Sequence, residues 1–295
     1  MAMGEQQAFD ELIAPYRREL HVHCYRMLGS VTDADDVMQE ILLAAWRGLD
    51  SFAGRSSLRT WLYKIATNRC LNAIRDGKRR PPPEPLPPFE PPPPTSRNEV
   101  TWLQPYPDAL LDDRVVKRET IELAFITALQ RMPPRQAAAL ILVDVLDFST
   151  PEAADLLDTT QTAVKGALQR ARASLHSPPL PRDTETERQV AKRFAEAFMA
   201  DDIATITSLL TDDAWLTMPP APHQYYGPPA IAAFLQISAA ALTSSDVLLE
   251  PAGANRHPAF ACYFVNSSGR VFTGHIVLTI SDDRISTITR FLELS

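Results

Sequence analysis

The residues best suited to chemistry lie on one side of a helix predicted over about 58–76. At roughly 100° per residue, five polar or aromatic residues share that side: Trp61, Lys64, Asn68, Asn72 and Arg75. A tryptophan among lysine, asparagine and arginine is typical of a helix that stacks on bases and binds phosphates. The alternative is a solvated basic helix with a half-buried tryptophan, and the spacing alone does not decide between them.

Positive charge is concentrated around this helix. The 295-residue chain has a formal net charge of −7, which excludes a general nucleic-acid coat protein. Between Arg47 and Arg80, however, basic residues clearly outnumber acidic ones. Any DNA binding in this part of the chain must therefore come from the local patch.

Two further helices position the basic helix. A helix over 5–29 ends at Gly29, and a second follows with Thr32 as its predicted N-cap and acidic residues in its first turn. A loop over 52–57 then leads to Ser56 or Ser57, either of which can cap the basic helix. We expect these elements to form one compact helical domain over 5–80.

A second constellation, over 149–175, predicts a helix-turn-helix. Ser149 and Glu152 have capping-box spacing, with Pro151 suited to the first helical turn. A three-residue turn at 158–160 then leads to a helix over about 161–175 with polar and basic residues near its start. An ordinary helical hairpin is the alternative.

Proline-rich stretches predict the domain boundaries. The run over 81–94 favours extended polyproline II and cannot form a helix or a central strand. We therefore predict a linker over 81–111, a helical domain over 112–177 and a third domain over 183–295. The linker is expected to be a spacer, with a proline-rich docking ligand as the alternative.

The third domain has the pattern of an α+β fold. Helical stretches are followed by strand patterns over 259–266, 271–280 and 284–294, with turns at 267–269 and 281–283. The domain also contains the histidine His275 on the second of these strand patterns. Strict alternation would place His275 on the same strand face as Thr273 and Val277.

Ordered motifs in 30–80 resemble a known family. They are Asp33-Ala34-Asp35-Asp36, Gln39-Glu40, Phe52-Ala53-Gly54, Thr60-Trp61-Leu62 and Ile65-Ala66-Thr67-Asn68. Together they resemble region 2 of the extracytoplasmic-function (ECF) group of bacterial sigma-70-family transcription factors. The resemblance implies a core-RNA-polymerase-binding face of Asp33, Asp36, Gln39 and Glu40. It also implies a face for the melted −10 promoter strand, formed by Arg55, Ser56, Trp61, Lys64, Asn68, Asn72 and Arg75.

The stretch 131–175 is similar to sigma region 4 of the same family. By that resemblance, Thr160, Gln161, Thr162 and Lys165 would face the major groove of the −35 promoter element. Gln169, Arg170 and Arg172 would lie on phosphate or on polymerase. The implied function is promoter-specific initiation of transcription with core RNA polymerase, without chemistry of its own.

The order of elements in 183–295 resembles the SnoaL-like cone fold. The predicted fold is therefore multidomain, with two all-α sigma domains followed by an α+β SnoaL-like domain. Pockets of cone-fold enzymes use His, Asp, Tyr and Trp, so the resemblance implies a candidate ligand pocket of Trp215, His223, Tyr225, Tyr226 and His275. We expect the last domain to modulate sigma activity, with a small-molecule ligand as a candidate partner. The alternative is a ligand-binding or isomerase/cyclase-like enzyme domain.

The remaining expectations concern metals, cofactors and location. Cys24, Cys70 and Cys262 are odd in number and far apart, so we expect neither a disulfide framework nor a metal site. No cofactor is predicted. This cysteine usage, and the lack of an apolar run long enough for a membrane span, predict a cytoplasmic protein without membrane contact.

Overall fold

The computed structural model divides the chain into two units, which are described separately. The helical unit comprises 1–80 and 109–178, and the C-terminal unit comprises 81–108 and 179–295. The structure describes residues 2–52, 54, 56–77, 89–111, 117–175, 184–241, 246–266 and 269–293.

The helical unit begins with four helices. They are α1 (Ala2–Ile13), α2 (Arg17–Leu28), α3 (Val31–Gly48) and α4 (Leu58–Arg75). The single helix predicted over 5–29 is divided by a 3-10 turn at Ala14–Tyr16. The sequence reason is Pro15, which lacks an N–H and clashes with the preceding helical turn.

Local side-chain caps set the starts of α3 and α4. Ser30, rather than the predicted Thr32, is the N-cap of α3, and its Oγ accepts a 3.0 Å hydrogen bond from the Asp33 N–H. Ser57 caps α4 in the same way through the Thr60 N–H. Each cap satisfies a backbone donor that the first helical turn leaves unpaired.

Helices α2, α3 and α4 pack around a core that includes a buried histidine. His23 on α2 is fully buried, and its Nε2 lies 3.0 Å from Oγ1 of Thr67 on α4. Burial, reinforced by the nearby charges of Arg26 and Arg59, lowers the pKa of His23 to about 3. The imidazole is therefore neutral in the folded protein at neutral pH.

Four further helices complete the helical unit. They are α5 (Leu123–Arg131), α6 (Pro134–Leu140), α7 (Thr150–Leu156) and α8 (Gln161–Ser174). A π-helical turn over Ile141–Val145 extends α6. The predicted capping box is present at α7, where the Ser149 N–H donates to the Glu152 carboxylate at 2.8 Å.

The C-terminal unit is α+β and contains one seven-stranded sheet in the described residues. Its helices are α9 (Thr184–Met199), α10 (Ile203–Ser208) and α11 (Pro228–Ala241). Its strands are β1 (Ser96–Arg97), β2 (Leu210–Thr217), β3 (His223–Tyr226), β4 (Asp246–Ala254), β5 (His257–Asn266), β6 (Gly269–Ser281) and β7 (Arg284–Leu292). The strand order is β1-β3-β2-β7-β6-β5-β4, and only the β2–β7 pair is parallel.

One hydrophobic core joins the sheet to the helices of this unit. Phe194 on α9 and Ile231 on α11 are fully buried in it, together with inward-facing strand residues. On β7, Ile288 belongs to this core and Leu292 packs against it. From Ile288 onwards, alternation along the strand therefore places every second β7 residue on the core side.

The predicted linker over 81–111 is, in part, built into the C-terminal unit. Residues 95–98, which include β1, form an edge strand of the sheet. The Thr95 N–H donates to the Gln224 carbonyl at 2.9 Å, and the Asn98 N–H donates to the Pro222 carbonyl at 2.6 Å. Further along, the buried Asn255 side chain accepts a 2.7 Å hydrogen bond from the Tyr106 N–H. These residues do not form a free spacer, because their backbone donors are paired with the sheet and its turns.

Acidification should weaken the helical unit through His23. The pKa of His23 in the folded state, about 3, lies below its unfolded value of 6.5. Stability is therefore fully present above pH 6.5 and is lost as the pH falls towards 3, by up to about 1.4 kcal/mol per pH unit. Relative to His23→Gln, the wild type should lose about 2 kcal/mol of opening free energy between pH 7 and pH 5, measured by hydrogen exchange of α2 and α4 amides. Equal pH slopes in the two proteins would contradict this.

Replacing Asn255 with glycine should release the segment around Tyr106. Asn255 has a φ of 54°, which glycine adopts without strain, so the change removes the side-chain acceptor and keeps the turn. An unpaired buried donor costs about 1–3 kcal/mol, and the Tyr106 amide should exchange about ten to a hundred times faster. The matched control is Asp282→Gly at an exposed turn with a φ of 57°. Equal exchange at Tyr106 in both variants would refute the assigned hydrogen bond.

Candidate functional site

Trp61 on α4 is half-buried and packs on the preceding loop. Its ring centroid lies 5.1 Å from that of Phe52, with an interplanar angle of 39°. A Cβ added at Gly48, near the end of α3, would lie 3.1 Å from Cζ2 of Trp61. The glycine thus makes room for the indole, and the two rings hold the α3–α4 connection in place.

Lys64, one turn further along α4, binds the helix-turn-helix. Its ammonium donates to Oδ1 of Asp158 at 2.7 Å and to the carbonyl of Asp155 at 2.9 Å. Asp158 lies in the turn between α7 and α8 with a φ of 46°. Near this contact, the Arg59 guanidinium lies 4.8 Å from the Tyr63 ring centroid and 5.0 Å from that of Phe148.

The other residues of the predicted −10 face differ in their exposure to solvent. Asn68 and Asn72 are half-buried on α4, and Ser56 is exposed at its start. Arg75 is exposed and pairs with Asp76 at 3.1 Å. Arg55 lies outside the described residues.

The predicted polymerase-binding residues lie along the N-terminal half of α3. Asp36 and Gln39 are exposed, whereas Asp33 and Glu40 are half-buried. Glu40 lies 3.9 Å from the Arg69 guanidinium on α4, so it also contributes to the contact between the two helices. The acidic groups near the start of α3 interact favourably with the helix dipole.

Helix α8 presents one polar face and buries the opposite face. Thr160 is its N-cap, accepting a 3.2 Å hydrogen bond from the Ala163 N–H. Gln161, Thr162, Lys165 and Gln169 are exposed, whereas Val164, Leu168 and Ala171 are buried. The side chains nearest the start of α8 are therefore exposed to solvent.

Arg172 has a structural partner. Its guanidinium makes a two-pronged contact with Asp144, through Nε to Oδ2 at 2.8 Å and Nη2 to Oδ1 at 2.6 Å. Bidentate arginine–carboxylate pairs fix both distance and orientation. Arg172 therefore ties α8 to the π-helical turn.

The C-terminal unit encloses a cavity of about 490 Å³. Of the five predicted pocket residues, only His223 lines it. Trp215 and Tyr226 instead pack against each other as a tilted ring pair, with centroids 4.8 Å apart, and Tyr226 is exposed. The Tyr225 hydroxyl donates to the Pro92 carbonyl at 2.9 Å, and burial raises the pKa of Tyr225.

A β-bulge in β6 places His275 and Thr273 on opposite strand faces, contrary to the prediction. The β5–β6 register shifts between Cys262 and Tyr263, opposite Gly274, which has a φ of 113°. A side chain at Gly274 would collide with the Phe291 carbonyl. Because one extra residue reverses the alternation, Thr273 lines the cavity and His275 does not.

The sequence analysis missed Arg290 on β7, which lines the cavity. Its Nη2 donates to Oγ1 of Thr273 at 2.7 Å and its Nη1 donates to the Phe291 carbonyl at 3.3 Å. Burial lowers the pKa of Arg290 and raises that of the neighbouring Cys262 thiol. Strand alternation could have identified Arg290, because it stands between Ile288 and Leu292, both of which line the cavity.

The described part of the chain lacks both a cluster of metal-ligand side chains and a membrane-spanning helix. No group of three or more His, Cys, Asp or Glu side chains there could hold a metal ion. No helix there has the length and apolar character that a membrane span requires.

Comparisons with known proteins identify the family. The model of sigma-70 region 2 matches residues 12–80, and that of sigma-70 region 4 matches residues 122–175. The ECF RNA polymerase sigma factor SigG of Mycobacterium tuberculosis is 40% identical over 297 residues, covering 95% of this chain and 80% of SigG. This chain belongs to the ECF group of RNA polymerase sigma factors.

Other ECF sigma factors match over different lengths. SigM of Mycobacterium tuberculosis is 33% identical over 172 residues, covering 58% of this chain and 77% of SigM. The crystal structure of Mycobacterium tuberculosis SigJ matches with a TM-score of 0.63 and 20% identity over 94% of both chains. The SigJ match extends over both units, and the predicted succession of helical sigma domains and an α+β domain is confirmed.

The Lys64–Asp158 pair should couple sigma region 2 to region 4. In a double-mutant cycle of Lys64→Met and Asp158→Asn, we expect a coupling free energy of about 0.2–1 kcal/mol that decreases with added salt. Asparagine tolerates the positive φ at position 158, so the change removes mainly charge. Hydrogen exchange of the backbone amides in the helical unit measures the free energy of opening of each variant.

A double-mutant cycle of the bidentate Arg172–Asp144 pair is the comparison for the Lys64–Asp158 cycle. Its two hydrogen bonds should give a larger coupling than the single contact of Lys64 with Asp158. Zero coupling between Lys64 and Asp158 at low salt would show that the pair does not hold the two regions together.

Proposed function

We propose that this ECF sigma factor directs core RNA polymerase to specific promoters and initiates transcription there. The observation that carries the proposal is the exposed polar face at the start of α8, behind a capped N-terminus. This face would read the −35 element through Thr160, Gln161, Thr162 and Lys165. Gln169 would contact the phosphate backbone of the DNA. Arg172 would act mainly by holding α8 in position against Asp144.

The −10 element would be held by α4 and the loop before it. Lys64 would bind a phosphate, and Asn68, Asn72 and Arg75 would continue the contact along the helix. Two of the three N–H donors of Lys64 are taken by Asp158 and the Asp155 carbonyl. Promoter phosphate would therefore compete with the region 4 contact for this ammonium.

Core polymerase would bind the face of α3 that carries Asp33, Asp36, Gln39 and Glu40. Two of these side chains are exposed in this structure, which supports the assignment. A factor held by polymerase at one face would present its two DNA-binding helices to two promoter elements. Since polymerase and promoter DNA are cytoplasmic in bacteria, the protein would act in the cytoplasm.

The C-terminal unit would modulate this activity. The segment that connects region 2 to region 4 pairs through residues 95–98 with β3. A change in that pairing would alter the span available between the two DNA-binding regions. The cavity beside this segment, which Phe89 and Pro91 help to line, would receive a small-molecule ligand.

An enzymatic role for the C-terminal unit is not favoured. Cavity residues suited to chemistry include His223, Cys262 and Arg290. Burial raises the pKa of Cys262, which disfavours the thiolate that a nucleophile requires. The arrangement suits binding better than acid–base or nucleophilic catalysis.

Run-off transcription with core polymerase and a promoter library tests the sigma assignment. Full-length protein should give a defined transcript, and Lys165→Ala should lower its yield about tenfold at limiting protein, because a base or phosphate contact is lost. If Lys165 binds phosphate, the slope of affinity against salt should also fall by about one.

The matched control is Lys192→Ala, an exposed lysine of the C-terminal unit that pairs with Glu196 at 3.9 Å. It removes the same charge and should leave transcription unchanged. The absence of any core-dependent transcript from the folded wild-type protein would refute the proposal. Truncation after residue 182 is a poor test, because it removes the strand with which residues 95–98 pair.

A further inference from the structure

The cavity of the C-terminal unit combines an apolar wall with one interior cation. Five phenylalanines line it: Phe89, Phe198, Phe234, Phe264 and Phe272. Its volume, about 490 Å³, lies within the usual range for small-molecule sites of about 300–1,000 Å³. Such a wall favours an occupant with a substantial hydrocarbon or aromatic body.

Arg290 is the cation, and its charge is not compensated. It donates to Thr273 Oγ1 and to a backbone carbonyl, both of which are neutral acceptors. In the described part of the chain, no carboxylate forms an ion pair with it. Arg290 is half-buried, and withdrawing a charge from water without a carboxylate partner is costly, so this guanidinium favours an anion.

The acidic residues around the cavity limit where an anion can lie. Asp201 and Glu293 also line it, but both are exposed to solvent, whereas Arg290 is half-buried. An anionic group is therefore favoured at the interior guanidinium and disfavoured beside the two carboxylates. The occupant would place its charged end inwards.

We infer that this cavity binds a small apolar carboxylic acid, whose carboxylate is held by Arg290 and the Thr273 hydroxyl. A guanidinium matches a carboxylate with two parallel hydrogen bonds. A single cation neutralises one charge, so a phosphomonoester with about −1.5 to −2 charges would keep excess charge in an apolar site. The inference rests on the proposed modulatory role and names the ligand class for it.

Calorimetric titration of the full-length protein tests the inference with matched probes. The probes are decanoate and biphenyl-4-carboxylate, the corresponding alcohols, and decyl phosphate. At least one carboxylate should bind ten times more tightly than its alcohol and more tightly than decyl phosphate. If neither carboxylate binds, if acid and alcohol bind equally, or if decyl phosphate binds best, the inference is wrong.

Three variants test whether Arg290 and Thr273 cause the preference for the carboxylic acid over the alcohol. Arg290→Met keeps the length and apolar stem of the side chain and should reduce the acid-to-alcohol ratio to about one while the alcohol still binds. Arg290→Lys should give an intermediate ratio, since lysine keeps the charge without the two-pronged geometry. Thr273→Val should lower the ratio less than Arg290→Met. An unchanged ratio in Arg290→Met would overturn the assignment.

A stability measurement separates binding from a structural role. Without ligand, removal of a half-buried cation that lacks a carboxylate partner should raise the midpoint of thermal unfolding in Arg290→Met, whereas loss of a structural residue would lower it. Run-off transcription by the same preparations tests the sigma assignment independently of the ligand. A wild type that binds the acid but gives no transcript would refute only the proposed function.

Discussion

The backbone pairing of residues 95–98 with β3 is the constraint on which the rest of the structure depends. An unpaired sheet edge offers donors and acceptors to any other strand, and here that edge is taken by the chain's own segment. The segment is also the covalent connection between sigma regions 2 and 4. The same few residues therefore satisfy the hydrogen bonds of the sheet edge and form part of the connection between the two sigma regions.

The cavity lies close to this constraint. Tyr225, next to the paired residues of β3, donates to the Pro92 carbonyl, and Phe89 lines the cavity itself. An occupant would contact the connecting segment directly, without a long chain of intermediate residues. Coupling of this kind needs only a difference in affinity between two arrangements of the segment.

Local rules explain which features could be predicted from the sequence. Helix starts at Ser57 and Ser149, the helix-turn-helix and the amphipathic face of α8 depend on residues within a few positions of each other, so their patterns were sufficient. The contact of Lys64 with Asp158, the β1–β3 pairing and the role of Arg290 depend on residues far apart in sequence. The prediction that His275 shares a strand face with Thr273 was wrong because the bulge at Gly274 reverses an alternation that the sequence pattern treats as continuous.

The distant pairing of β1 also bears on how the protein is made. Ser96 meets Gln224, 128 residues later in the chain, so at about 5–20 residues per second the ribosome needs roughly 6–25 seconds to supply the partner. During that interval the emerging segment is an unpaired strand in a crowded cell. The prolines over 81–94 cannot donate to a sheet and resist intermolecular pairing.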